Sequence, residues 1–206
     1  MSDYLFDAIR NHDPLNKIIE LIKLEKDINA QSETGATALI FVAKYVCEDS
    51  EAIMRALIDA GANLNINANT FYGWTALFFS TDKGGKYGNI ITHMLIDAGA
   101  NVDIQDDNGW NALMLTIKDD SEYGVKMMSK IIDAGAEVNA QDNGGWTALM
   151  HAARVGGMHF KKKALTLIEA GADINIRTNK GEMISELASD DDIKILLDNP
   201  GFDISK

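Results

Sequence analysis

Few side chains in this sequence are of types that do chemistry, and they are scattered along the chain. The histidines are His12, His93, His151 and His159, and Cys47 is the single cysteine. His151 and His159 are separated by a turn, so they do not form the i, i+4 pair that a helix presents to zinc. One cysteine also excludes a thiolate metal cluster. We therefore expect no bound metal.

Catalytic and cofactor-binding motifs are missing from the sequence as well. It contains no P-loop, no glycine-rich dinucleotide loop after a strand and no His-Glu-x-x-His helix. Cys47 is followed by Glu48 and Asp49, so no neighbouring cation activates its thiolate. The acidic runs DDSE and SDDD lack the glycine and the final glutamate of a calcium loop. These observations predict a protein that is not an enzyme and needs no cofactor.

The three tryptophans are placed far more regularly than the histidines. Trp74, Trp110 and Trp146 each follow a glycine directly, in the phrases YGWTAL, NGWNAL and GGWTAL. Those glycines are 36 residues apart, and the glycines of a second phrase, DAGA or EAGA, are spaced 38, 36 and 36. Two independent phrases that recur with nearly the same period indicate an internal repeat.

Each repeat contains the signals of two helices separated by turns. A turn rich in Asn, Asp and Gly comes first, followed by a residue suited to cap a helix, namely Thr37, Thr75, Asn111 or Thr147. A short apolar run then leads to a polar or glycine-rich break, such as residues 83–88. The second helix follows, and its last glycine suits the left-handed position after a helix. Such units bury their apolar faces only by stacking, which predicts a solenoid.

The pattern resembles the ankyrin repeat, a β-turn and two helices with a T-P-L-H-x-A phrase and a period of about 33 residues. Here the phrase reads TALIFVA, TALFFST, NALMLTI and TALMHAA. Ala replaces Pro, and His is replaced by Ile40, Phe78, Met114 and Met150. These replacements predict that the first turns of the helices are apolar and exclude water. The longer period places additional residues in the break between the two helices of every central repeat.

The resemblance implies an all-α ankyrin-repeat solenoid whose helix pairs are joined by short β-hairpin fingers, and it implies a role in protein–protein interaction. It predicts four central repeats between two capping units within a single domain. The expected divisions are 1–30 for the N-terminal cap, 31–66, 67–104, 105–140 and 141–176 for the repeats, and 177–206 for the C-terminal cap.

The charge of the chain is strongly negative and unevenly distributed. The formal net charge is −12, and residues 1–141 contain 21 acidic against 11 basic side chains. Such a surface repels nucleic acid and anionic membranes. It favours a basic partner protein or serves solubility alone. Residues Lys161–Lys163 form a basic run that we interpret as a solvated helix start rather than a phosphate site.

Other features predict a monomer inside the cell. No apolar run approaches the length of a membrane span, and the first residues lack the basic and apolar parts of a signal peptide. A lone cysteine suits a reducing compartment. We expect a cytoplasmic protein, or one in the cytoplasm of a host if it is a secreted effector.

By the resemblance, the tryptophans lie on the fingers that edge the concave surface of the solenoid. There they either bind a partner or only join neighbouring fingers. The variable finger positions and the ends of the first helices complete the predicted binding surface. The predicted partner-binding residues besides Trp74, Trp110 and Trp146 are Glu33, Phe71, Tyr72, Asp107 and Asn143 on the fingers, Tyr45, Lys83, Asp119 and Arg154 at the helix ends, and Tyr87 and Tyr123 as a second rim.

The resulting functional hypothesis is a non-catalytic module that holds another protein in its concave groove. The alternative is an acidic inhibitor or effector, viral or bacterial, that blocks a basic or nucleic-acid-handling protein.

Overall fold

The computed structural model describes residues 2–66 and 72–188 of the chain. The helices in these ranges are α1 (Ser2–Arg10), α2 (Leu15–Leu24), α3 (Ala38–Lys44), α4 (Ser50–Asp59), α5 (Ala76–Lys83), α6 (Gly85–Asp97), α7 (Ala112–Leu115), α8 (Glu122–Asp133), α9 (Ala148–Val155), α10 (Phe160–Glu169) and α11 (Ile184–Leu187). A 3₁₀-helix, Thr116–Lys118, continues α7. None of these helices has the length and apolar character that a membrane span requires.

The helices form two layers that follow the chain order. The first helices of the repeats, α3, α5, α7 and α9, pack side by side after α1, and the second helices, α4, α6, α8 and α10, do the same after α2. Each helix therefore contacts the helices of its neighbouring repeats, as expected for a solenoid. The predicted all-α solenoid is confirmed.

The first helices are short and almost completely buried. In α3 every residue from Ala38 to Ala43 is buried, and the same holds for Ala76–Thr81 in α5. The four residues that replace the family histidine, Ile40, Phe78, Met114 and Met150, are at most 1% exposed. The prediction that the first turns of these helices are apolar and exclude water is confirmed.

Side-chain caps begin most of these helices. Thr37, Asn111 and Thr147 accept hydrogen bonds from the N–H groups three residues later, at 3.4, 3.0 and 3.3 Å. A cap of this kind contributes about 1 kcal/mol. Thr75 occupies the same position before α5, but its side chain makes no capping bond.

Glycines end the second helices as predicted. Gly61, Gly99, Gly135 and Gly171 have φ between 82° and 92°, a region that favours glycine. At the first of them, Gly61 N–H bonds to Ile58 O at 2.9 Å and the next N–H bonds to Leu57 O at 3.0 Å. These paired bonds satisfy carbonyls that the helix end leaves free.

Hydrogen bonds between consecutive repeats follow these helix ends in the chain. An Asn or Asp of one repeat accepts a backbone N–H of the next repeat. The four bonds run from Asn63 to Asn29, from Asn101 to Asn65, from Glu137 to Asp103 and from Asp173 to Asn139, at 2.7–2.9 Å. Neighbouring repeats are thus held at one fixed offset.

The fingers are hydrogen-bonded turns without regular strands in the described residues. In one finger, Asp106 N–H bonds to Trp110 O at 2.8 Å and Gly109 N–H to Asp106 O at 2.9 Å. One backbone bond joins this finger to the next, from Asn143 N–H to Asn108 O at 2.9 Å. The hairpins are too short for a ladder, and the described part of the chain holds a single isolated bridge, Arg177 with Met183.

The break predicted at residues 83–88 is wrong. Only Gly84 separates α5 from α6, and the additional residues of this repeat lengthen α6 instead. The backbone of α6 crosses the end of α5 so closely that a Cβ on Gly88 would lie 2.5 Å from Ser80 O. Gly124 makes an equally close crossing in the next repeat, against Asp119 O.

The prediction that the whole basic run 161–163 is solvated is also wrong. Lys163 is only 2% exposed, and its ammonium donates to Ile117 O at 2.9 Å and Asp119 O at 2.7 Å. These carbonyls lie at the end of the 3₁₀-helix, where no backbone N–H is available to them. Burial lowers the pKa of Lys163, although Asp120 and Asp119 partly oppose this effect.

We expect Lys163→Met to destabilise the protein. Methionine fills similar space but leaves two buried carbonyls without donors, so the free energy of unfolding should fall by about 2 kcal/mol. Urea denaturation measures this change. Lys161→Met is the matched control, because Lys161 lies exposed on the same helix. Equal small losses in the two variants would contradict a structural role for Lys163.

Candidate partner-binding surface

Trp74, Trp110 and Trp146, the tryptophan column, lie between the fingers and the first helices. All three are half-buried and pack against the hydrophobic core. Each follows the glycine of a finger turn and precedes the residue that caps the next first helix. The column therefore belongs to the finger bases, with part of each indole left exposed.

Contacts across repeats fix the first indole. Trp74 Nε1 donates to Asp106 Oδ2 of the next repeat at 3.0 Å. Its ring packs edge-on against Phe79, with 5.2 Å between ring centroids. Trp74 consequently joins two fingers while one part of its surface faces outward.

Two aspartates organise both the fingers and the aromatic rings. Asp106 Oδ1 accepts the N–H groups of Asn108 and Trp110, at 2.8 and 2.9 Å. Asp142 Oδ1 holds the next finger in the same way, at 2.8 and 2.9 Å. The second oxygens of the two aspartates have different hydrogen-bond donors. Asp106 Oδ2 accepts Trp74 Nε1–H, whereas Asp142 Oδ2 accepts His151 Nε2–H at 2.8 Å.

His151 fills the space between the other two indoles. Its ring centroid lies 4.3 Å from that of Trp110 and 5.3 Å from that of Trp146. Burial lowers the pKa of His151. The bond to Asp142 opposes this shift, and the charge of Arg154 adds to it.

Cations cover several aromatic faces along the same side of the solenoid. Lys118 Nζ lies 5.8 Å from the ring centroid of Trp74 and 5.4 Å from that of Trp110. The Arg154 guanidinium lies 5.2 Å from Trp146. Cation–π contacts at such distances contribute about 0.5–1 kcal/mol when exposed.

The pattern continues toward the N-terminus. Arg10 lies 5.4 Å from the Phe41 ring, and Lys44 lies 5.3 Å from Tyr45 and 5.9 Å from Phe79. We call the whole set the aromatic–cation surface. Its members are Arg10, Phe41, Lys44, Tyr45, Trp74, Phe79, Trp110, Lys118, Trp146, His151 and Arg154.

The predicted finger residues form the edge of this surface. Tyr72 has a positive φ of 56°, and its carbonyl accepts Asp107 N–H at 2.8 Å. Asp107 O in turn accepts the Asn143 amide at 2.9 Å. The side chains of Tyr72, Asp107 and Glu33 are exposed, whereas Phe71 lies outside the described residues.

The predicted residues at the first-helix ends divide into two groups. Tyr45 and Arg154 belong to the aromatic–cation surface, whereas Lys83 is exposed at the end of α5. Asp119 is half-buried, and its Oδ2 accepts Gly85 N–H of the preceding repeat at 2.8 Å. Asp119 thus joins repeats at the helix–helix break.

Tyr87 and Tyr123 lie apart from the tryptophan column. They begin the second helices α6 and α8, where lysines lie over their rings at 5.6 and 5.5 Å. The structure therefore brings the column, Tyr45 and Arg154 together and leaves these two tyrosines on a separate rim.

The predicted site did not include Phe79 and His151, whereas Lys118 stands at one of the first-helix ends that it did include. The repeat period held the signal for them. Counting five residues on from each tryptophan reaches Phe79, Leu115 and His151, and counting eight reaches Asp82, Lys118 and Arg154. Equivalent positions of stacked repeats form columns, so these residues had to lie beside the tryptophans.

Residues able to bind metals do not converge in the described ranges. Those ranges contain no group of three or more His, Cys, Asp or Glu residues arranged to hold a metal ion. Cys47 is half-buried and accepts the Ser50 hydroxyl at 3.6 Å. A nearby enclosed cavity measures about 10 Å³, which is room for one water molecule at most.

Comparison with known families gives a match over most of the chain. The family described as "Ankyrin repeats (3 copies)" matches residues 5–92 and 84–178. A comparison with curated protein sequences gave no significant match.

Similar solved structures have the same fold. The ankyrin repeat protein EF0377 is 19% identical with a TM-score of 0.78, over 91% of this chain and 90% of that one. An ankyrin repeat domain, ABAYE2397 from Acinetobacter baumannii AYE, is 26% identical with a TM-score of 0.75, over 88% of each chain. A chain in the complex of Bd0816, a predatory endopeptidase from Bdellovibrio bacteriovorus, with the immunity protein Bd3460 is 29% identical with a TM-score of 0.73, over 92% of each.

The environment of His151 predicts how stability depends on pH. The pKa of His151 is lowered in the folded state from its unfolded value of about 6.5. As the pH falls below that value the unfolded chain binds the proton first, so this contribution to stability, complete above about pH 6.5, is lost toward the folded pKa. We expect the wild type to lose more unfolding free energy than His151→Gln between about pH 7.5 and 5.5.

Urea denaturation of both proteins at the two pH values measures this difference. Parallel losses in the wild type and the variant would show that protonation of His151 does not oppose folding.

Proposed function

The chain belongs to the ankyrin-repeat family, and we propose that it is a non-catalytic module that binds a partner protein along its concave side. Ankyrin repeats indicate protein–protein interaction. The aromatic–cation surface is the observation that carries the proposal. It combines Trp, Tyr and Arg side chains, the types that dominate binding energy at protein interfaces.

Partial exposure of the indoles is what a binding role requires. Each tryptophan is half-buried, so its position is set before a partner arrives and little side-chain entropy is lost on binding. The bond from Trp74 to Asp106 and the packing of His151 against two indoles also join adjacent repeats. We infer that the column both joins repeats and contacts the partner.

A second candidate function is inhibition of a basic partner protein. Two observations favour it: the formal net charge of −12, and the similarity to a chain in a complex of an endopeptidase with an immunity protein. In this proposal the chain, as a monomer in the cytoplasm of its own cell or of a host, occupies an enzyme and blocks it. Capture of the partner on the immobilised protein, with mass spectrometry, identifies the enzyme to be tested.

Truncation of the tryptophans separates binding from folding. We expect Trp74→Ala, Trp110→Ala and Trp146→Ala each to weaken affinity for the captured partner by about 2 kcal/mol. The loss in unfolding free energy should stay below the roughly 3–5 kcal/mol of a fully buried aromatic. Calorimetric titration and urea denaturation measure the two effects.

Tyr4→Ala is the control, because Tyr4 is an exposed aromatic that belongs neither to the tryptophan column nor to the predicted binding residues. The proposal fails if the tryptophan variants lose several kcal/mol of stability each while their folded fraction binds the partner normally.

The charge proposal predicts a salt-dependent association rate. If the acidic surface steers a basic partner, the association rate constant should fall steeply as salt rises from about 50 to about 500 mM, because screening shortens the reach of the charges. The dissociation rate constant should change much less. Stopped-flow mixing measures both, and an association rate indifferent to salt would leave the negative charge as a solubility feature.

A further inference from the structure

The tryptophan column contains one gap. Five residues after each tryptophan, the first helix directs a side chain toward the neighbouring indoles. Phe79 packs against one indole in its repeat, and His151 packs against both Trp110 and Trp146 in its own. The repeat between them has Leu115 at this position, and a leucine has no ring to place between two indoles.

A pocket occupies that gap. Its volume is about 200 Å³, and it opens between Trp74 and Trp110 above Leu115. The other lining residues are Tyr72, Asp106, Asn108 and Lys118. We call it the Trp74–Trp110 pocket. Its walls are indole faces, and its size suits one side chain rather than a drug-sized ligand.

The pocket is lined by one cation, Lys118, and one carboxylate, Asp106, and both already have partners. Both oxygens of Asp106 already accept hydrogen bonds, Oδ1 from two backbone N–H groups and Oδ2 from Trp74. Lys118 Nζ lies near both indoles, and its ion pair with Asp82, at 3.1 Å, is exposed. Such a pair is weak and exchanges readily. The charged groups of the pocket are thus already engaged, and its remaining walls are the two indoles, Tyr72 and Leu115.

We propose that the Trp74–Trp110 pocket binds one aromatic side chain of the partner protein, Phe or Tyr, in the place that His151 takes one repeat later. This inference rests on the proposed binding function and names the chemistry of its central contact. A ring stacks between indoles, and the negative face of the ring is complementary to the Lys118 ammonium.

Other types of partner side chain fit the pocket less well. An arginine or a protonated histidine meets the Lys118 ammonium, and the Asp106 carboxylate beside it already accepts three hydrogen bonds, whereas His151 has one oxygen of Asp142 to itself. An aliphatic side chain fills the space without the stacking and cation–π contributions. The negative charge of the whole chain acts at longer range. It attracts the partner as a whole and does not decide which side chain enters the pocket.

Small side-chain analogues test the pocket without a partner. The probes are p-cresol, 4-methylcyclohexanol as its non-aromatic match, and n-propylguanidinium, each titrated into ¹⁵N-labelled protein. We expect p-cresol to bind in the millimolar range, as its few atoms permit, and to shift the indole N–H signals of Trp74 and Trp110 but not that of Trp146. Binding of 4-methylcyclohexanol should be about fivefold weaker. Equal shifts at all three indoles, or equal affinity for all three probes, would overturn the proposal.

Two variants make the test specific. Leu115→Phe supplies the missing ring from within, so it should abolish the p-cresol shifts. Lys118→Glu alters an exposed residue, so folding is preserved even if the first variant fails to fold. It should weaken p-cresol binding and strengthen n-propylguanidinium binding. Unchanged probe preference in a folded Lys118→Glu protein would contradict the role assigned to Lys118.

Affinity measurements with the captured partner distinguish the pocket proposal from the proposed binding function. We expect Leu115→Phe to lower partner affinity about tenfold or more, comparable to loss of one interface anchor. If the tryptophan truncations abolish binding but Leu115→Phe does not, the inference fails and the binding function stands. If neither change affects affinity, both fail.

Discussion

No single repeat of this protein can bury its own apolar surface, and the rest of the structure depends on that constraint. Each first helix is apolar on nearly all sides, so it needs a neighbour on both flanks. The polar groups obey the same rule. The Asn and Asp residues behind the second helices, and Asp106 beneath the fingers, complete hydrogen bonds that belong to the adjacent repeat. Stacking at one fixed offset is therefore required for both apolar burial and polar satisfaction.

Fixed stacking turns a repeated sequence position into a column on the surface. The tryptophans form one column, the residues five positions later a second, and Asp82, Lys118 and Arg154 a third. The binding function proposed above then depends on the differences within a column. Leu115 opens a pocket because its neighbours in the column are rings, and Lys118 places an ammonium beside the indoles of that pocket. The additional residues of the α5–α6 repeat lengthen α6, whose backbone crosses the end of α5 closely at Gly88, and Gly124 makes the same crossing in the next repeat.

The features that could be predicted from the sequence are those set by one repeat and its period. The helix-capping residues, the left-handed glycines and the alignment of the tryptophans follow from local spacing, and each was predicted. The position of Lys163 was not, because its partners are carbonyls of the preceding repeat that lie 46 and 44 residues away. The break at 83–88 was misplaced because glycine signals a turn and close packing equally well. His151 and the gap at Leu115 depend on rings from two repeats at once.

The central claim is that all three tryptophans contact the partner. Fluorine NMR of the protein labelled with 5-fluorotryptophan tests it directly, since each tryptophan contributes one resonance and an unlabelled partner contributes none. Saturation with the captured partner should shift all three resonances. Three unmoved resonances in a fully bound sample would contradict it and place the interface away from the tryptophan column.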